Sequence, residues 1–215
     1  MKNEQQHSDE WYAARVGKVT ASAVIKITKR TKAGKKTADY DKYMRDLLGE
    51  RLTGEPKDFF QNKYMKWGND VEPQARAIYE MRTGNAVEDA PFVDHPYIDK
   101  AGASPDGFAG LDGLVEIKCP ETSTMIEYIE MFDADGSIKE DYLVQMQWQM
   151  ACTGRAWCDY EVFDPRIKDP DLRAFIRRIP RDPAMIAEIE AQVVQFQTEI
   201  NELEAKVRRV MGEDA

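Results

Sequence analysis

The stretch SPDGFAGLDGLVEIKC, residues 104–119, decides how this chain is read. Its last six residues alternate. Period two puts Leu114, Glu116 and Lys118 on one face of a strand and Val115, Ile117 and Cys119 on the other. An acid and a base then share a face, and the packed apolar side behind them fixes where they point. Asp112-Gly113 is a turn signal between strands expected at 106–110 and 114–119, and a hairpin through it brings Asp106 alongside Glu116.

Two carboxylates that converge without histidine or cysteine suit a hard, oxygen-seeking cation, Mg²⁺ or else Mn²⁺, with the backbone carbonyl of Ile117 as a further candidate ligand. A pair of such ions would polarise a scissile phosphodiester, generate hydroxide from water and neutralise the leaving oxygen. Lys118 would orient the water or stabilise the developing charge. The same letters also have a structural reading. In a chain with 32% charged residues, E-x-K arises readily as a salt bridge on a surface hairpin.

Outward from this segment, strands are expected near 86–93 and 97–104, punctuated by Pro96 and Gly102, and again at 156–163 and 172–179. Helices are expected after the caps Ser8 and Asp9, from Thr20-Ala21-Ser22 where a hydroxyl caps the run, over 39–52, over 69–82 with Pro73 in the first turn, and over 139–153. From Pro183 to about Val210 one long helix carries Ile186, Ile189, Val193, Phe196, Ile200, Leu203, Val207 and Val210 at alternating spacings of three and four. That seam packs on its own domain or on a partner helix. The expected architecture is an α/β fold, a small central mixed sheet flanked by helices with the site on a hairpin at one edge.

At 215 residues the chain fits a single domain, 1–215, that buries about 70% of its unfolded surface. The polar start MKNEQQHSDE is no signal peptide and no apolar run suits a membrane helix, so a cytoplasmic location is expected. Three cysteines without C-x-x-C spacing indicate neither a disulfide framework nor a zinc or iron-sulfur site. The two histidines, His7 and His95, read as surface residues. A net charge of −9 argues against a protein that simply coats nucleic acid, yet residues 1–36 hold nine Lys/Arg against three acids. Within them the basic run 26–36, with Arg30, Lys32, Lys35 and Lys36, is a candidate DNA contact or strand-separating element, and alternatively a solvated loop.

Further motifs surround the first: Trp11-x3-Arg15-x-Gly17-x2-Thr20-Ala21-Ser22, Trp67-Gly68-x3-Glu72 with Ala75-Arg76, Tyr142-x2-Gln145-x-Gln147, and Asp164-Pro165-Arg166. With Ser104-Pro105-Asp106-Gly107 and 114–120, in this order, the chain resembles the lambda-type phage recombination exonucleases. These are the YqaJ-like viral recombinases, with a restriction-endonuclease-like PD-(D/E)xK core. The resemblance runs from Trp11 to about Arg166; the helix after Pro183 departs from the family pattern, and Arg30 and Lys32 match no particular family residue.

The resemblance implies that Asp106 and Glu116 bind metal, that Lys118 is the catalytic lysine, and that Glu72 completes the site on the water side. It implies that Gln145 braces the site with help from Tyr142, and that Arg15 and Ser22 bind the 5′-phosphate of a strand end. The last role is physically sensible, since helix N-termini bind phosphate. It further implies 5′-to-3′ degradation of one strand of linear double-stranded DNA, a ring-shaped homotrimer, and a single-strand annealing protein as partner. Each residue also has a plain reading: Glu72 as a first-turn acid, Gln145 and Gln147 as exposed helix residues, Arg15 as a surface cation, Ser22 as a cap, Trp11 and Trp67 as core anchors. The rivals are a PD-(D/E)xK endonuclease and a non-catalytic DNA-binding or assembly module, whose signature would be loss of Asp106, Glu116 or Lys118. An iron-sulfur nuclease needs four cluster cysteines.

Overall fold

The computed structural model describes residues 6, 8–57 and 63–212; His7 lies outside them. Helix α1 (Asp9–Arg15) starts where the Ser8 hydroxyl accepts the Trp11 amide. A two-residue strand, β1 (Val19–Thr20), leads into α2 (Ala21–Thr28). Thr20 stands at the N-cap of α2 but its hydroxyl makes no cap bond, because the residue is held as the last of β1, opposite Gly102. Helix α3 (Ala38–Thr53) is capped by Thr37 and stops at Gly54, whose φ of 72° only glycine adopts without strain.

Helix α4 (Lys63–Thr83) begins earlier than the sequence suggests, so Pro73 lies in its interior and not its first turn. The proline forfeits one helical hydrogen bond there. Val71, Ala75 and Tyr79 on the buried side of α4 offset that loss by packing against the sheet. Then come β2 (Val87–Glu88), β3 (Val93–Asp94), β4 (Ala101–Ala103), β5 (Gly107–Ala109) and β6 (Gly113–Lys118). Helix α5 (Thr122–Asp135), unanticipated from sequence, precedes α6 (Glu140–Thr153), β7 (Trp157–Phe163), β8 (Ala174–Pro180) and α7 (Pro183–Met211).

Strand order in the larger sheet is β2-β5-β6-β7-β8, antiparallel throughout except for the parallel pair β6–β7, which α5 and α6 connect. The expected hairpin of β5 and β6 is present, but β6 is the central strand and not an edge. The reason is the crossover, which carries the chain back to lay β7 on the far side of β6. The expected strand 86–93 is divided: β2 joins this sheet, whereas β3 joins a second, three-stranded sheet of order β1-β4-β3. Of 97–104 only Ala101–Ala103 is extended, because the chain turns through Lys100 at φ 51°.

Both faces of the larger sheet are covered. Leu114 and Tyr160 join α2, α3, α6 and α7 in one cluster, while Val115, Ile117 and Phe163 pack under α4 in another. Gly113 to Ile117 is consequently buried on both sides, so the face bearing Glu116 is packed as well as charged. The seam of α7 packs on its own chain from Ile186 to Ile200 and, half-buried, through Val207; Val210 is exposed. His95 is not a surface residue. It stacks on Trp148, its Nδ1 accepts the Ile98 amide over 3.2 Å, and it is 5% exposed. Among the described residues no helix is long and apolar enough to cross a membrane.

Candidate active site

The register of β5 against β6, Gly107 opposite Val115, puts Asp106 next to Glu116. The Ile117 amide locks it there by donating to Asp106 Oδ2 over 2.7 Å. Glu116 is wholly buried, and a buried carboxylate needs donors. Its Oε1 accepts from Lys118 Nζ and, over 2.6 Å, from Gln145 Nε2; its Oε2 accepts from Gln149 Nε2 over 2.6 Å. Lys118 Nζ also stands 5.0 Å over the Tyr142 ring, whose hydroxyl is 3.2 Å from that of Tyr128 on α5. The unanticipated helix thus steadies the wall beside the lysine.

Glu72, on α4, faces the same space. Burial pushes its pKa up, and the charge of Glu116 adds to the effect. Asp106 is raised well above the ordinary carboxylate range by burial and by the nearby Glu116 and Glu72. Burial pulls Lys118 down, but Glu116 and Asp106 outweigh it and the ammonium is held more tightly than usual. Three acids around one lysine leave an excess of negative charge. Among the described residues no three His, Cys, Asp or Glu side chains already stand as a finished metal cage. The donor set is nonetheless all oxygen, crowded and anionic, which fits a hard divalent cation.

These groups line one cleft of about 490 Å³ that also takes in Trp11, Arg15, Ser22, Gly68, Ser104 and Tyr142. Also lining it, the half-buried Arg15 guanidinium lies 4.0 Å over the Trp11 ring and donates to Ser104 Oγ over 3.3 Å. Neither of these two contacts is a carboxylate, although the Glu50 charge also acts on the guanidinium. Ser22 is exposed in the first turn of α2 and lines the same cleft.

Of the residues singled out from sequence, Arg15, Ser22, Glu72, Asp106, Glu116, Ile117, Lys118, Tyr142 and Gln145 come together. Arg30, Lys32, Lys35 and Lys36 stand outside the cleft. Arg30 donates to Gln192 over 2.7 Å and Lys36 pairs with Glu199, both on α7, while Lys32 and Lys35 are exposed. Gln147, far from exposed, ties α6 to the start of α7 through the Pro180 carbonyl and the Asp182 amide. Trp11 is buried as expected of an anchor but is also the ring beneath Arg15; Trp67 is half-buried under the Arg166 guanidinium.

Sequence reasoning missed Gln149 and Ser104 as site residues. The spacing of Gln145 and Gln149, one helical turn apart, was the available signal for the first. Ser104 Oγ accepts both Trp11 Nε1 and Arg15, a long-range contact with no local signature.

Residues 10–156 match the model of the YqaJ-like viral recombinase domain. Two crystal structures of the alkaline exonuclease LHK-Exo from Laribacter hongkongensis, one of them in complex with dAMP, are 44% identical to the chain. They cover 97% of it and 100% of their own chains, with TM-scores of 0.87 and 0.86. A phage-related exonuclease from Haemophilus somnus 129PT, 20% identical, covers 88% of this chain and 96% of its own with a TM-score of 0.69 and shares the PD-(D/E)xK fold. No curated protein matches the chain.

Proposed function

The chain belongs to the YqaJ-like viral recombinase family and is a nuclease, and we propose that it degrades one strand of linear double-stranded DNA from a 5′-phosphorylated end. Its product is then a 3′ single strand for recombination. One observation carries this reading. A cluster of acids around a lysine and a half-buried arginine held by an aromatic ring and a hydroxyl line a single cleft.

In this reading Asp106, Glu116 and the Ile117 carbonyl would hold Mg²⁺ or Mn²⁺, as a pair of ions, with Glu72 on the water side. Bound there, the cation supplies neutralising charge for the scissile phosphate. The protein's own groups do the rest. Gln145 keeps Glu116 aimed, with Tyr142 flanking the lysine. Lys118, held as an ammonium, donates hydrogen bonds that orient the attacking water or stabilise the charge developing on the phosphate oxygens. Arg15 and Ser22, with Ser104 behind the guanidinium, grip the terminal phosphate and so set which linkage reaches the acids. Lys32 and Lys35 are free to meet the duplex outside the cleft.

On family grounds the reading extends to a homotrimeric ring around DNA, a single-strand annealing partner and action in the cytoplasm of a host cell. A ring gives processivity by topology, which suits a chain of net charge −9 that cannot rely on many phosphate contacts.

The test is magnesium-dependent digestion of linear duplex with 5′-phosphate, the same duplex with 5′-hydroxyl, and a covalently closed circle. Rapid loss of the phosphorylated linear DNA alone is expected. Cutting of the circle makes the protein an endonuclease, and no cutting of any substrate makes it a binding module.

A further inference from the structure

Helix α6 turns two glutamines, four residues apart, toward a single carboxylate. Gln145 takes Glu116 Oε1 and Gln149 takes Oε2, each over 2.6 Å. Gln149 does not line the cleft. It is wholly buried, and its own Oε1 has no hydrogen-bond partner among the described residues. A buried acceptor left bare is destabilising. An apolar side chain of the same length would fill the space without that cost, so packing alone does not account for an amide here.

The terminal torsion of a glutamate is broad and roughly two-fold, unlike the sharp wells nearer the backbone. Lys118 and Gln145 both hold Oε1, which leaves the carboxylate plane able to turn about that side. A donor on Oε2 stops the rotation. An ionised carboxylate offers about four lone-pair directions; two on Oε1 and one on Oε2 are occupied. We propose that Gln149 is a positioning residue, fixing the plane of Glu116 and with it the one lone-pair direction left for a ligand. The inference rests on the metal-dependent nuclease reading above.

The experiment compares wild type, Gln149→Met and Gln147→Met, the last as a packing control whose amide faces α7. Mn²⁺ is titrated calorimetrically into DNA-free protein, and kcat and KM are measured on 5′-phosphorylated linear duplex. Gln149→Met is expected to weaken Mn²⁺ binding and lower kcat about 10- to 100-fold each, the usual cost of losing a group that orients a metal ligand. KM for DNA should stay within about twofold of wild type, because the change disturbs the geometry at the reacting centre and not the grip on the duplex. Gln147→Met lowers the melting temperature and leaves Mn²⁺ affinity and kcat alone. A folded Gln149→Met with wild-type Mn²⁺ affinity and kcat overturns the positioning role and leaves the nuclease reading intact. Should Gln149→Met not fold, Gln149→Asn, which draws the amide back by one methylene, is read in its place against the same outcomes. A wild type that neither binds Mn²⁺ nor cuts DNA overturns the nuclease reading and this inference together.

Discussion

Lys118 Nζ bonds Glu116 Oε1 from two residues further along the same strand, so the acid and the base of this site are set by one backbone segment. Because β6 is central and buried on both faces, neither group drifts relative to the other. Replacing Lys118 with Ala removes the ammonium and leaves the contacts of Arg15 with Trp11 and Ser104 in place. We expect turnover to fall on the order of 10²- to 10⁴-fold, the range for losing a positioned proton donor, with DNA binding by fluorescence anisotropy close to wild type. Unchanged turnover would take Lys118 out of the mechanism.

Asp106 is crowded by Glu116 and Glu72 in a buried position, which raises its pKa and makes its ionised form costly to the folded protein. Asp106→Asn keeps an oxygen for the Ile117 amide while removing a like charge. The variant should lose nuclease activity and gain stability, because the buried like charge that raises the Asp106 pKa is gone. Thermal melting in chelator tests this; a lower melting temperature than wild type contradicts the crowding argument.

Arg15 is poised for an anion by its two neighbours, an aromatic face and a hydroxyl. Arg15→Ala should slow degradation of 5′-phosphorylated ends by about 10- to 100-fold, the equivalent of one charge-assisted hydrogen bond. It should leave 5′-hydroxyl ends nearly unaffected. Equal loss on both substrates would mean that Arg15 supports the fold or the duplex and not the terminal phosphate.

What could be read from sequence was what local pattern encodes. The alternation of 114–119 and the turn at Asp112-Gly113 gave the hairpin, and Asp106, Glu116 and Lys118 converge as that pattern requires. Alternation could not reveal that β6 is central, since a strand covered on both faces by helices is decided by which distant segments return to it. The second sheet rests on strands of two or three residues, too short for any period to register. The surroundings of Arg15 are likewise non-local: Trp11, Arg15 and Ser104 meet across about 90 residues of chain. In the basic run, charge suggested contact with DNA, whereas Arg30 and Lys36 find Gln192 and Glu199 on α7.

His95 gives a pH test that is separate from the cleft. Burial lowers its pKa below the ordinary histidine value, and Glu190, with Oε1 3.3 Å from Nε2, only partly opposes this. The folded state therefore takes up a proton here less readily than the unfolded chain. Stability from this site is present above the unfolded pKa, near 6.5, and is lost as pH falls through the folded one. The drop in melting temperature between pH 7.5 and 5.5 should be smaller in His95→Asn, whose Oδ1 can still accept the Ile98 amide, than in wild type. An equal drop would assign the acid sensitivity elsewhere.

Gly107 follows Asp106 directly, and a Cβ on it would run into the Val87 side chain on β2, with the Glu88 carbonyl 3.2 Å away. β5 lies between β2 and β6, so relief of that clash has to come from shifting either β2 outward or β5 against β6. The second movement carries Asp106 away from the Ile117 amide. Gly107→Ala should therefore cost about 1–3 kcal/mol, as overpacking in a filled core does, and lower kcat as well, whereas a change on β2 that makes room, Val87→Ala, should restore much of both when combined with it. Melting and turnover of the single and double variants measure the coupling; additive effects would mean that β2 does not constrain where Asp106 sits.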